Sequence, residues 1–138
     1  MKSLFNYCLA ALLVSISLTV QAQTPREFEM TEGDTTYVMK QYFMGFLMKV
    51  EDKPELDSAK VMEIQQAHQD YMSQNAKDGL LLIAGPFGDN GDMRGVVIYD
   101  VATKEEALDI INNDPAVKAG RLAIEVHPWW AAKGSVLK

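Results

Sequence analysis

His68 is the side chain in this sequence best suited to moving a proton near neutral pH. The ordinary pKa of a histidine, about 6.5, lies closer to neutrality than that of any other common side chain. It stands in Gln65-Gln66-Ala67-His68-Gln69-Asp70-Tyr71-Met72. Val61, Ile64, Tyr71 and Met72 lie seven, four, three and four residues from it, which on a helix is one face. That face should pack on the rest of the fold. A titratable ring therefore occupies a place where an apolar side chain is easier to bury. Two readings follow. His68 is either a buried histidine satisfied by a backbone carbonyl, or the general base of a site.

Other residues offer less chemistry. Asp114 precedes Pro115, the pattern of a helix N-cap with proline at the first helical position. Glu125 and His127 alternate onto one strand face, where they would line a ligand pocket or pair across an interface. Two histidines with scattered acids have no metal-ligand spacing, so no metal site is expected. Ser58, Ser73 and Ser135 lack a nucleophile-elbow motif. Gly85-Pro86-Phe87-Gly88 has neither the spacing nor the lysine of a phosphate loop. No cofactor is implied. Trp129-Trp130, beside Tyr42 or Phe87, would wall a pocket or seal an interface.

Bulk properties narrow the class of protein. Met1-Lys2, an apolar run from Leu4 to Val20 without acids, and Val20-Gln21-Ala22 read as a secretory signal peptide cleaved after Ala22. The competing reading, an uncleaved membrane anchor, fits less well because the run is short and broken by polar residues. Cys8 is the only cysteine, and it precedes most of the run rather than ending it, which argues against a lipoprotein. Removing 22 residues from 138 leaves 116, enough for one domain. That remainder has no disulfide, so it rests on core burial. The net charge of -6 falls by one with the loss of Lys2. An acidic chain without a basic run argues against nucleic acid and anionic membranes as partners. The expected organisation is a signal peptide over 1–22, a flexible leader over 23–35 and one domain over 36–138, in a periplasmic or secreted protein free of the membrane after cleavage.

The elements follow from periodicity and punctuation. Thr36 to Val50 is apolar on both alternating faces from Tyr42 onward, which predicts a central strand. Asp57 or Ser58 caps a helix that runs to about Lys77. Leu80–Ala84 is a strand bounded by Gly85-Pro86, and Arg94–Val101 is its hairpin partner across a glycine-rich turn. Thr103 and Glu106 form a capping box for a helix that ends near Asn112-Asn113. A short helix from Pro115 is closed by Gly120, and a strand from Leu122 to Val126 is ended by His127-Pro128-Trp129-Trp130. The order βαββαβ predicts an α+β, ferredoxin-like domain: a four-stranded antiparallel sheet with two helices on one face. Tyr42, Phe43, Met44, Phe46, Leu47 and Met48 cannot all point at two helices. The uncovered apolar face is expected to be the interface of a homodimer.

Ala84-Gly85-Pro86-Phe87-Gly88-Asp89, the capped helix, Asp114-Pro115-Ala116-Val117-Lys118-Ala119-Gly120 and Val126-His127-Pro128-Trp129 together resemble the YCII-related (YciI-like) family over roughly Gln41 to Gly134. The resemblance implies a dimeric α+β barrel. It also implies a paired site made of His68 and Asp114. Pro86, Phe87, His127 and Trp129 are the candidate substrate-binding residues around it. The arginine that many members carry shortly before the histidine has no counterpart here, where Glu63 to Ala67 stand. Phe87 replaces the serine of some members and makes the rim apolar. A few relatives are similar to lyases that remove chloride from hydroxylated rings.

Pairing has its own physical sense. A carboxylate that accepts from one imidazole nitrogen fixes the tautomer and raises the basicity of the other. Two functions remain open from sequence, beside a third possibility of a purely structural dimer. One is an exported enzyme that abstracts a proton from, or drives elimination on, a small aromatic or carbonyl compound. The other is a non-catalytic dimeric module that binds a small molecule.

Overall fold

The computed structural model describes residues 25–137. The expected signal peptide lies outside the described residues. The chain runs β1 (Glu27–Glu32), β2 (Thr35–Lys49), α1 (Ser58–Lys77), β3 (Leu81–Pro86), β4 (Met93–Tyr99), α2 (Lys104–Asn112), α3 (Pro115–Lys118) and β5 (Leu122–Ala132). The ferredoxin-like core is the antiparallel order β5-β2-β4-β3, with the helices on one face. Each helix starts on a side chain that satisfies an orphan N–H. Asp57 accepts from Lys60, Thr103 from Glu106 and Asp114 from Ala116.

Two features depart from the sequence reading. Glu27–Glu32, inside the stretch read as a flexible leader, is strand β1. It forms a hairpin with β2 through Gly33-Asp34, where Gly33 takes a φ of 60°. Its register pairs Glu27 with Lys40 and Glu32 with Thr35, so it lies along β2 beyond the end of β4. The last strand also does not stop at His127. It continues to Ala132, with Pro128 opposite Phe43. β5 pairs only with β2 and is therefore an edge, where a missing N–H is tolerated.

Alternation along β2 divides the sheet into two faces. Phe43, Gly45 and Leu47 face the helices and join a core with Val97, Tyr99, Ile111 and Val126. Gly45 marks the closest approach of α2. A Cβ there would stand 2.8 Å from Ile111 Cδ1 and 2.9 Å from Val97 Cγ2. Tyr42, Met44 and Phe46 take the opposite face, paired with Trp129, His127 and Glu125 of β5. No helix covers that side among the described residues.

The β1–β2 hairpin is tied to the core by charge. Asp100, just after β4, receives Lys40 Nζ at 2.6 Å and Arg26 Nη2 at 2.7 Å. Burial opposes ionisation of Asp100, but the hydrogen bonds and charges of Lys40 and Arg26 outweigh it and leave the carboxyl below its usual range. A carboxyl with a lowered folded-state pKa stabilises the fold fully above the ordinary carboxylate range, near pH 4, and that stabilisation is lost as pH falls through the folded value. Asp100→Asn should therefore lower stability at pH 7 by on the order of 1 kcal/mol. Urea unfolding across pH should show the gap closing below about pH 4. A gap that stays constant down to pH 2 would count against this role.

Candidate functional site

Helix α1 presents Ile64, His68 and Asn75 as its buried residues, with Val61, Tyr71 and Met72 half-buried beside them. This is the stripe expected from the spacing around His68. The helix is anchored across to α2 by the Tyr71 hydroxyl, which donates to the Ile110 carbonyl at 2.9 Å. Asp114 arrives from the neighbouring helices on the same face of the sheet, at the turn between α2 and α3.

The structure brings His68 and Asp114 into direct contact. His68 Nδ1 lies 2.7 Å from Asp114 Oδ2, and both residues are buried, at 7% and 4% exposure. The other oxygen, Oδ1, accepts from the Ala116 N–H at 2.8 Å. One carboxylate thus serves two donors. An ionised carboxylate only accepts, so in the arrangement of a carboxylate with a neutral ring the shared proton sits on Nδ1 and Nε2 is the acceptor. No protein group among the described residues bonds Nε2. Tyr99 packs in the same region. Burial pushes its phenol well above the usual range, and the charges of Tyr71 and Asp114 add to this, so it stays neutral.

His68 opens on a cavity of about 590 Å³ between α1 and the sheet. That is within the size range of small-molecule sites, about 300–1,000 Å³. Leu47, Val61, Ile64, Met72 and Val97 give it apolar walls, and Ala116 brings the Asp114 cap to its edge. Pro86, a candidate substrate-binding residue from sequence, is part of its lining. Phe87 follows directly but is 38% exposed and does not line it. His127 and Trp129 are not in this cavity. They project from β5 to the opposite face of the sheet, because they pair with Met44 and Tyr42 rather than with Phe43 and Gly45. There His127 Nε2 lies 2.9 Å from Glu125 Oε1, and its ring stands 6.1 Å from that of Phe46. Trp129 borders a second cavity of about 680 Å³ with Tyr42, Ile98 and the C-terminal residues Val136 and Leu137.

The sequence reading missed the polar part of the wall. Lys49, Lys53, Arg94 and Arg121 all line the His68 cavity, and no aspartate or glutamate does. They come from β2, the β2–α1 connection, β4 and the turn before β5, so no local pattern unites them. Among the described residues no group of three or more His, Cys, Asp or Glu is placed to hold a metal. No described helix is long and apolar enough to cross a membrane.

Among solved structures, the chain is similar to 5-chloro-2-hydroxyhydroquinone dehydrochlorinase (TftG) from Burkholderia phenoliruptrix AC1100, determined in complex with 2,5-dihydroxybenzoquinone. The identity is 24%, the TM-score is 0.48, and the match covers 64% of this chain and 92% of that one. No curated protein matches the chain. The model of the YCII-related domain matches residues 44–130, from the middle of β2 to the Trp129-Trp130 pair. This match spans more than half of the chain and includes both His68 and Asp114, so the chain belongs to the YCII-related domain family.

Proposed function

We propose that this protein is an enzyme in which His68 acts as a general base on a small molecule held in the cavity between α1 and the sheet. Asp114 orients the ring and stabilises the imidazolium that forms when Nε2 takes a proton. The reaction class is proton abstraction next to a carbonyl or hydroxyl-bearing carbon, alone or followed by elimination. The observation that carries this reading is the buried 2.7 Å contact of Nδ1 with Asp114, together with an unpartnered Nε2 on a cavity of substrate size.

We also propose that the protein is exported, cleaved after Ala22, and works as a homodimer through the helix-free face of the sheet. Support for the dimer comes from the apolar side chains on that face. Met44, Phe46 and Met48 are half-buried there, and Trp129 is 38% exposed. Glu125 and His127 would then lie at the interface.

Two measurements test these readings. Proton NMR in D₂O, run over a panel of small hydroxylated aromatic and carbonyl compounds, should find one that exchanges or eliminates. His68→Gln should slow that turnover by about 10² to 10⁴ while the compound still binds. Asp114→Asn should preserve the α3 cap, because asparagine caps as well as aspartate, yet still lose activity. Asp114→Ala should cost stability as well, about 1–3 kcal/mol, since it leaves a buried donor unpaired. Unchanged turnover in His68→Gln would remove the base, and binding without turnover in the native protein would make it a binding module. Native mass spectrometry of the exported material should give a dimer of chains that begin at Gln23. A monomer at micromolar concentration defeats the dimer, and retained Met1–Ala22 defeats the cleavage.

A further inference from the structure

We infer that the substrate of the His68 cavity carries a carboxylate, held at the rim by Lys53, Arg94 and Arg121. This rests on the reading of that cavity as the working site and adds its substrate class. The chain as a whole is acidic, with a net charge of -6. Its cavity is the reverse, with four cations in the lining and no acid. Lys49 is already paired with Glu51 at 2.8 Å. The other three have no carboxylate within ion-pairing distance among the described residues. Arg94 Nη1 has only the Gly91 carbonyl at 3.4 Å, and Arg121 Nη1 only the Pro54 carbonyl at 3.4 Å. These are long contacts that leave most guanidinium donors unused.

Backbone irregularity puts these charges where they are. The β2–β4 register shifts between Leu47, opposite Gly95, and Met48, opposite Met93. Arg94 is left as the extra residue of a bulge, a device that re-aims a side chain. Arg121 follows Gly120, whose φ is 65° and which lies against Pro54. That turn sets Arg121 beside the connection that carries Lys53. The two groups converge on the same cavity at one end of the sheet, from either side of the last residues of β2.

The chemistry of the rim favours a carboxylate over a phosphate. A phosphate site is ordinarily built from a cradle of backbone N–H groups at a helix N-terminus. Here the α3 N-terminus beside His68 is already satisfied by Asp114 Oδ1. What the rim offers instead is the planar donor forks of Arg94 and Arg121, which bind either oxyanion bidentately, so the missing N–H cradle is what turns the preference toward a carboxylate. The body of the substrate would lie against the apolar walls, with its reactive C–H toward Nε2.

Benzoate and its uncharged counterpart benzamide separate charge from shape. Calorimetric titration of the full protein at fixed ionic strength should show benzoate binding at least about tenfold tighter than benzamide. An Arg94→Gln/Arg121→Gln double variant should lose that preference and keep its benzamide affinity, which also reports that the cavity is intact. His68→Gln should retain the preference, because the rim is untouched. The inference is overturned if the two ligands bind equally, if neither binds at tens of millimolar, if the preference survives in the double variant, or if it vanishes in His68→Gln. None of these readouts involves turnover, so a failure of the general-base reading is visible separately, as activity that persists in His68→Gln.

Discussion

The arrangement of the site depends on the Asp114 carboxylate being shared. Its Oδ1 closes the first turn of α3 and its Oδ2 holds His68. α3 is a four-residue helix, too short to persist on its own hydrogen bonds. Pro115 at its first position and the Asp114 cap define where it begins. Because the same side chain reaches α1, the start of α3 and the orientation of the imidazole are fixed together. A cap that also serves a ring is therefore a positioning device. Any shift of the α2–α3 turn would move the histidine with it.

The sheet keeps two kinds of surface apart. On the helix side, the missing side chain of Gly45, where a Cβ would stand only 2.8 Å from Ile111 Cδ1, lets α2 settle close to β2, while α1 leaves a cavity over the Ala84–Pro86 edge. On the other side, Tyr42, Ile98 and Trp129 make an apolar layer with no helix over it among the described residues. The alternation of a single strand, β2, assigns each neighbour on β5 to one layer or the other. Val126 joins the core, and His127 next to it faces away. The two histidines of this chain consequently belong to different surfaces. His68 has a buried carboxylate and a cavity. His127 has an exposed glutamate and an aromatic edge.

Much of this was legible in the sequence because it depends on local patterns. Asp57, Thr103 and Asp114 announced three helix starts, and the stripe of Ile64, His68 and Met72 announced a packed face. The parts that were not legible depend on partners distant in the chain. Phe28 and Met30 of β1 are largely exposed, so the strand is ordered by its ladder with β2 rather than by burial, and its acids made it read as leader. Gly33-Asp34 was the one turn signal that could have exposed the hairpin. Pro128 looked like a strand end because edge status cannot be read from a single strand. Arg94 looked like an ordinary strand residue because a bulge is a property of two strands. The contact between His68 and Asp114, 46 residues apart, was suggested by family pattern, and its geometry required the fold.

A buried histidine–aspartate pair is weak as a device for stability alone. Taking an ionised carboxylate out of water is costly, and well-packed apolar residues of similar volume often serve as well or better. Asp114 has a stabilising task that it completes with one oxygen. The helix cap would be met equally by asparagine or serine, neither of which brings a charge into the interior. On the α1 face, a leucine or methionine at position 68 would extend the apolar stripe of Ile64 and Met72 without a desolvation cost. What those simpler side chains lack is a ring nitrogen that can take up a proton beside a fixed negative charge. The features that folding leaves unexplained are the charge at 114 and the free nitrogen at 68. Both fit a site that must stabilise a cation only at the moment it forms.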